Sequence, residues 1–252
     1  MQPPILDFDP HPGSIIDPAA LAPSIDVPTT AVVTWFGEIV DDLGRDGHKV
    51  DEYVIEGGSF PIHEVDIDGY PCIVAQMPVG APAAAMVLER VIALGCTTII
   101  AIGSAGGLAS SMNPGTVVVP SEAVRDEGTS YHYLAPNVPA RPDGDVAQAL
   151  VEVLRSRGVT FTRGRTWTTD AIYRETRAMA EKRTDQGCVT VEMEAASLFA
   201  VASFRGVRLA YLLYVADTLG GGEWDGTNLV KPLKSLRRTL VGFAIEAVRS
   251  LR

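Results

Sequence analysis

Thr97-Thr98-Ile99-Ile100-Ala101-Ile102 runs directly into Gly103-Ser104-Ala105-Gly106-Gly107-Leu108, and this stretch decides the fold class. A β-branched and mostly apolar run is typical of a strand that is buried on both faces, as strands are in parallel sheets. The glycines that follow favour a turn in which backbone N–H groups approach a ligand closely. The stretch therefore predicts a strand that ends at the ligand-binding edge of an α/β sheet.

The rest of the chain alternates between apolar strands and amphipathic helices. The pattern predicts strands over Ala31–Trp35, Val65–Ile67, Tyr70–Met77, Thr116–Pro120, Thr160–Thr168, Cys188–Val191 and Arg208–Val215, and helices over Ile39–Leu43, Ala81–Leu94, Asp145–Arg157, Glu194–Arg205 and Leu229–Leu251. Asp68-Gly69 predicts a two-residue hairpin turn. The alternation indicates one α/β domain over residues 31–252, with a mixed, largely parallel central sheet flanked by helices. Residues 1–30, rich in proline and aspartate, are expected to form an extended N-terminal arm.

Composition and charge exclude several classes of protein. The 252 residues are 46% hydrophobic and 21% charged, which is typical of a globular chain. The 21 basic and 31 acidic residues leave a net charge of −10, and no basic run offers a surface for nucleic acid or an anionic membrane. No apolar run approaches the ~20 residues of a membrane span, and the first residues lack the pattern of a signal peptide. We expect a cytoplasmic protein that binds neither nucleic acid nor membranes.

Cysteine spacing argues against a disulfide framework and against a metal site. Cys72, Cys96 and Cys188 lie far apart, in or beside apolar stretches, and form no CxxC motif or Cys/His cluster. We expect three buried, reduced thiols and no bound metal.

Three strand ends carry side chains suited to chemistry. After the first, Ser104 adds a hydroxyl to N–H groups that could hold an anion, although a glycine turn without a ligand fits equally. At the second, a carboxylate of Glu192 or Glu194 could accept two vicinal hydroxyls, such as those of a ribose, with Met193 as an apolar floor. Helix capping is the alternative there. At the third, burial would raise the pKa of Asp217 and make it a proton donor, with loop capping as the alternative.

In this order, the segments resemble the nucleoside phosphorylase and nucleosidase superfamily, specifically its purine/uridine phosphorylase family 1. The resemblance runs from about Ala31 onward and is carried by Gly103–Leu108 with Pro114–Val119, by Arg125–Tyr133, by Val191–Ala196 and by Val215–Asp217. It implies the phosphorylase/hydrolase-like α/β fold and cleavage of nucleosides at the N-glycosidic bond. It also implies a homo-oligomer, and no cofactor besides inorganic phosphate as co-substrate.

The resemblance also assigns candidate site residues by position. They are Gly103 and Ser104 for phosphate or the water that replaces it, Met193 and Glu194 for ribose, Gly106, Gly107, Ile172 and Glu192 for the base, and Asp217 for protonation of N7 of a leaving purine. The stretch Tyr173–Ala178 fits the pyrimidine-specific pattern poorly. That misfit and Asp217 together favour a purine substrate.

Three cations that hold phosphate in relatives are missing from their expected places. A Gly-Asp-Pro-x-Arg loop is replaced by Phe36–Asp42, an arginine position holds Ala101, and an arginine lent by a neighbouring subunit falls near Gly57–Ser59. Burying a phosphate dianion without charged partners costs several kcal/mol. The candidate replacements are Arg125, Arg165 and Arg174. We therefore expect phosphorolysis of a purine nucleoside to base and ribose 1-phosphate, with hydrolysis by water and an inactive nucleoside-binding protein as the alternatives.

Overall fold

The computed structural model describes residues 3–109, 111–219, 224–226 and 233–251. The strands are β1 (Thr30–Thr34), β2 (His48–Ile55), β3 (Gly58–Ile67), β4 (Tyr70–Gln76), β5 (Thr98–Gly107), β6 (Val117–Asp126), β7 (Phe161–Thr169), β8 (Cys188–Glu192) and β9 (Arg208–Thr218). The helices are α1 (Pro18–Leu21), α2 (Gly37–Gly44), α3 (Ala81–Ala93), α4 (Gly144–Ser156), α5 (Arg177–Asp185), α6 (Ala195–Arg205) and α7 (Lys234–Ser250). Short 3₁₀ turns lie at Pro4–Leu6, Thr129–His132 and Ile172–Arg174. The predicted mixed α/β fold is confirmed.

The sheet curls so that two of its strand ends meet. β5 pairs in parallel with β1 on one side and with β9 on the other, while Gly106 and Gly107 at its end pair antiparallel with β8. Because β9 also pairs with β6, the strands β5, β8, β7, β6 and β9 close into a ring. The carboxyl-terminal residues of β5 and β8 thus lie side by side. The end of β9 joins them there, because Asp217 pairs with Gly106 after a β-bulge.

Most of the core lies in two apolar layers, and a smaller third cluster surrounds Trp167. Leu212 and Tyr214 of β9 pack with residues of α4 and α7, whereas Tyr211, Leu213 and Val215 pack with residues of α3 and α6. This alternation follows from the two-residue period of a strand. Burial on both faces explains why β5 and β9 are nearly continuous apolar runs.

The predicted turn after Ile102 is wrong, because β5 continues through the glycines to Gly107. Neighbouring groups occupy the space that side chains would need at these positions. A Cβ on Gly103 would collide with the Tyr211 hydroxyl, and a Cβ on Gly107 would lie 2.8 Å from the Cβ of Met112. These glycines therefore allow close packing within the sheet, and they do not end the strand.

Three helices or strands have no counterpart in the sequence prediction, and one of them is the short helix α1 inside the arm that was expected to be extended. β2 and most of β3 form an antiparallel hairpin at the sheet edge, and β2 is largely exposed and polar, so it lacks an apolar alternation. α5 has no buried residue, so it lacks a helical apolar stripe. The Asp68-Gly69 hairpin turn is confirmed, with positive φ at both residues. The predicted start of the last helix at Leu229 lies outside the described residues.

The arm and the cysteines complete the description. Arg205 of α6 donates a hydrogen bond to the carbonyl of Pro12, so the arm is tied to the domain there. Cys72, Cys96 and Cys188 are buried, and burial raises their thiol pKa values to about 12, about 12 and about 11. Among the described helices, none combines the length and the apolar character needed to cross a membrane.

Candidate active site

A cavity of about 240 Å³ lies where β5, β8 and β9 end. The predicted residues that line it are Ser104, Gly106, Ile172, Glu192, Met193, Glu194 and Asp217. Further lining side chains that the sequence did not indicate are Trp35, Val79, Glu175 and Tyr211. A larger cleft of about 870 Å³ lies beneath the N-terminal arm, beside His11 and Arg205, and the candidate residues do not line it. The strand ends therefore meet at the smaller cavity, as predicted.

Of the three glycines predicted to lie at the site, one lines this cavity. Gly103 and Gly107 do not line it, and both are required by close packing inside the sheet. Gly106 does line it, and a Cβ there would lie 2.8 Å from Cδ1 of Leu219 and 3.5 Å from Oδ1 of Asp217. Gly106 thus keeps the space beside the Asp217 carboxyl group open.

Glu192 is held by four hydrogen-bond donors of the protein. Oε1 accepts from the hydroxyls of Thr168 at 2.6 Å and Thr166 at 3.4 Å. Oε2 accepts from the backbone N–H groups of Glu194 at 2.7 Å and Ala195 at 2.6 Å. A carboxylate has about four acceptor positions, so these donors occupy them. The geometry favours the capping alternative for Glu192, at the N-terminus of α6.

Glu194 occupies the N-cap position of α6 and faces the cavity. Its Oε1 accepts the N–H of Gly80 at 2.6 Å, and Gly80 has a φ of +97°, which glycine adopts readily. Burial and the neighbouring Glu192 carboxylate raise the pKa of Glu194 above its ordinary value. Four donors of the protein stabilise the charge on Glu192, so the destabilising effect of burial on the charged form is offset more fully at Glu192 than at Glu194. The remaining acceptor positions of Glu194 suit the hydroxyls of a ligand.

Asp217 lines the same cavity, near the end of β9. Burial raises the pKa of its carboxyl group, while a hydrogen bond from the Trp224 indole N–H to Oδ2, at 2.8 Å, acts in the opposite direction. The sequence carried no signal for Trp224, which lies in the segment after β9. A carboxyl group with a raised pKa at a cavity wall is suited to donate a proton.

Glu175 is a second carboxyl group near Asp217. It follows the 3₁₀ turn at Ile172–Arg174 and lines the cavity. Burial, with a smaller contribution from the charge of Asp217, raises the pKa of Glu175 to about 7. The sequence showed only that this segment departs from the pyrimidine-specific pattern. Placement beside Asp217 puts Glu175 at the end of the cavity that the resemblance assigns to the base.

Among the described residues that line the cavity, four are acids and none is lysine, arginine or histidine. Neither Arg125 nor Arg165, which were candidate replacements for the missing cations, lines the cavity. Arg125 donates to the Ser130 hydroxyl and to three backbone carbonyls, and Arg165 pairs with Glu122 at 2.9 Å. Arg174 is exposed and does not line the cavity. The described residues of the cavity wall are therefore acidic or uncharged, and none of them is cationic.

An aromatic pair forms the wall beside Ser104. Trp35, directly after β1, stacks on Tyr211 of β9 with ring centres 5.6 Å apart and an angle of 17° between the planes. The Trp35 indole N–H donates to the carbonyl of Pro78 at 2.7 Å. In the segment that replaces the Gly-Asp-Pro-x-Arg loop, Glu38 pairs with Arg237 at 2.6 Å. Aromatic and neutral groups therefore stand where the resemblance predicts the nucleophile.

Comparison with known proteins identifies relatives of this chain. A guanosine phosphorylase of Halorubrum lacusprofundi is 29% identical over 177 residues, which are 70% of this chain and 73% of that protein. A uridine phosphorylase of Escherichia coli is 28% identical over 206 residues, or 76% of this chain and 80% of that protein.

Solved structures show the same fold. A uridine phosphorylase from Vibrio fischeri matches with a TM-score of 0.77 and 22% identity, over 89% of this chain and 93% of that one. A purine nucleoside phosphorylase from Toxoplasma gondii, in complex with immucillin-H, matches with a TM-score of 0.76 and 21% identity, over 90% and 92%. The family model of the phosphorylase superfamily matches residues 29–246. This chain belongs to the phosphorylase superfamily.

Proposed function

We propose that this enzyme of the nucleoside phosphorylase type, a pentosyltransferase, cleaves purine nucleosides with inorganic phosphate. Its named relatives include guanosine and uridine phosphorylases, so the base has to be argued from the site. The observation that carries the proposal is that Glu194 and Asp217 line one cavity. The Glu194 carboxyl group is suited to accept hydrogen bonds from hydroxyls, and the Asp217 carboxyl group is suited to donate a proton. A purine nucleoside needs both, since its ribose has vicinal hydroxyls and its base leaves more readily when N7 is protonated.

The chemistry then needs no covalent enzyme intermediate. Glu194 accepts hydrogen bonds from the ribose hydroxyls, and Met193 packs against the sugar. As the bond between C1′ and N9 stretches towards an oxocarbenium-like state, Asp217 gives its proton to N7. A phosphate oxygen near Ser104 forms the new bond to C1′. The products are the free base and ribose 1-phosphate, and Asp217 is reprotonated from solvent.

Glu175 supports the choice of a guanine base. Above its raised pKa of about 7, Glu175 is an ionised carboxylate, which accepts hydrogen bonds but donates none. Guanine offers N1–H and a 2-amino group on one edge, whereas adenine has an acceptor at N1 and no 2-amino group. With Asp217 at N7 of the base, the Glu175 carboxylate would accept hydrogen bonds from the N1–H and 2-amino groups of guanine. A site that hydrogen-bonds a substrate group discriminates strongly against an analogue that lacks it.

Product analysis tests this proposal directly. Guanosine, inosine, adenosine and uridine are each incubated with the enzyme, with and without phosphate, and base and sugar products are quantified. We expect guanosine to be the best substrate and ribose 1-phosphate to form in equal amount to the base. Preference for uridine would contradict the assigned role of Asp217.

Hydrolysis by water is the second candidate, and one observation favours it. Among the described residues of the cavity wall there is no cation to neutralise a phosphate dianion. Release of free ribose at full rate in phosphate-free buffer would identify a nucleosidase. Nucleoside binding with no base release in either buffer would identify an inactive binding protein. A cytoplasmic location and a homo-oligomeric state also remain predictions.

A further inference from the structure

Tyr211 lines the cavity, and none of the hydrogen bonds found among the described residues involves its hydroxyl group. The residue is 1% exposed, and its ring packs in the layer between the sheet and helices α3 and α6. Buried tyrosine hydroxyls usually find a partner. Tyr214, equally buried three residues later, accepts a hydrogen bond from Nε of Arg237 at 2.9 Å. This difference between the two tyrosines indicates that the Tyr211 hydroxyl is available to form a hydrogen bond with a ligand in the cavity.

The position of this hydroxyl is fixed from two directions. Trp35 stacks on the Tyr211 ring and is itself anchored to the carbonyl of Pro78. The hydroxyl lies against the backbone of Gly103, where any side chain would displace it. Tyr211 and Ser104 both line the cavity. The phenol is therefore held beside the segment to which the resemblance assigns the nucleophile.

A neutral donor suits this acidic cavity. Burial, together with the nearby charges of Glu194 and Glu192, raises the pKa of Tyr211 well above its ordinary value. The phenol therefore keeps its proton at neutral pH and can donate it in a hydrogen bond. The neutral phenol can therefore donate a hydrogen bond to an anion. An arginine at this position would instead form an ion pair with the acidic residues of the cavity wall.

We propose that the Tyr211 hydroxyl, together with the Ser104 hydroxyl, donates a hydrogen bond to the incoming phosphate and orients it for attack on C1′. The inference rests on the proposed phosphorolysis. Tyr211 contacts a phosphate oxygen other than the attacking one and keeps its proton throughout. The bond from C1′ to the attacking oxygen forms, the bond to N9 breaks, and the proton on N7 comes from Asp217. Tyr211 thus takes over part of the task that arginines have in relatives.

The test compares Tyr211→Phe with Tyr214→Phe. Both variants remove one hydroxyl from β9, but only the first removes it from the cavity. Initial rates are measured over a phosphate titration at saturating guanosine and over a guanosine titration at saturating phosphate. We expect Tyr211→Phe to raise the KM for phosphate about tenfold while the KM for guanosine changes less than about threefold. Tyr214→Phe should leave both constants unchanged and lower the Tm.

Two other outcomes separate this inference from the proposed function. A KM for phosphate within about twofold of the wild type in folded Tyr211→Phe overturns the role of Tyr211 and leaves phosphorolysis standing. If the wild type releases base without phosphate, phosphorolysis fails, and the same variants are compared in phosphate-free buffer. An unchanged kcat for Tyr211→Phe then overturns the positioning role, whereas a tenfold lower kcat at constant guanosine KM shows that Tyr211 orients water instead.

Discussion

The two ends of the cavity differ sharply in chemistry. The end assigned to base and ribose holds the carboxyl groups of Glu175, Glu194 and Asp217, whereas the end assigned to the nucleophile holds Ser104 and the stacked rings of Trp35 and Tyr211. Carboxyl groups suit hydroxyls, N–H donors and proton transfer. Neutral hydroxyls suit an anion only weakly. With the roles proposed above, the described residues of the cavity offer several groups to bind the nucleoside and only neutral groups to bind the nucleophile.

The two ends are also coupled electrostatically. Two unit charges ~8 Å apart interact by about 2 kcal/mol at an effective dielectric constant of about 20. Each ionised carboxylate at the nucleoside end therefore weakens the binding of phosphate at the other. Burial opposes this, because it raises the pKa values of Glu175, Glu194 and Asp217 and favours their neutral forms. We expect phosphate affinity to fall as pH rises through these pKa values.

The largest effect is expected when the proton donor is removed. Asp217→Asn keeps the shape of the side chain but removes its acidic proton, so kcat for guanosine should fall by roughly 10²–10⁴. The matched control is 7-methylguanosine, whose base is already cationic and leaves without protonation. Its turnover should fall much less, and steady-state kinetics on both substrates measures the difference. An equal loss on both would make Asp217 a structural residue.

Removal of the ribose anchor comes next. Glu194→Ala should lower kcat/KM for guanosine by about 10², or about 3 kcal/mol, because a buried carboxylate with two hydroxyl partners is lost. The nucleoside without a 2′-hydroxyl, 2′-deoxyguanosine, should be affected less by the substitution. Near-wild-type kcat/KM in a folded variant would show that Glu194 only caps α6.

A smaller effect concerns base selection. Glu175→Gln replaces an acceptor-only carboxylate by an amide, so kcat/KM for guanosine should fall about tenfold. Inosine keeps N1–H but lacks the 2-amino group, so it should lose less. The ratio of the two kcat/KM values, measured in one competition assay, reports the change. A ratio that stays constant would place Glu175 outside the base site.

The smallest effect is a shift of the pH profile. The Trp224 indole stabilises the ionised form of Asp217, so Trp224→Phe should raise the Asp217 pKa further. Activity requires protonated Asp217 and is lost as pH rises through its pKa. The alkaline limb of kcat/KM should therefore move to higher pH, by about half a unit to one unit. A shift to lower pH, or none, would contradict the assignment of Asp217 as the acid.

Much of the fold and part of the site follow from local patterns. Ser104, Glu194 and Asp217 were predicted because each follows a buried strand, and strand ends converge in α/β sheets. Glu192 also lies at the end of a buried strand, but its carboxylate has a capping role, because it accepts hydrogen bonds from four donors in β7 and at the start of α6. Position after a strand does not distinguish a capping carboxylate from a ligand-binding one.

The missed residues depend on contacts between distant segments. Tyr211 lies inside an apolar strand and reads as core, and only its closeness to Gly103 and Trp35 reveals an accessible hydroxyl. Trp35 is separated from it by 176 positions along the chain, so no local pattern connects the two. Glu175 and Trp224 become noticeable only once β9 brings Asp217 next to them. Long-range pairing decides which ordinary residues become site residues.

The most direct test of the difference between the two ends is a phosphate titration with identification of the sugar product. Guanosine is held at saturation, phosphate is varied from micromolar to tens of millimolar, and ribose 1-phosphate and free ribose are quantified. We expect ribose 1-phosphate as the product and a KM for phosphate in the millimolar range, about −4 kcal/mol if KM reflects binding. Saturation at micromolar phosphate would contradict a neutral nucleophile site, and free ribose formed at full rate without phosphate would contradict phosphorolysis itself.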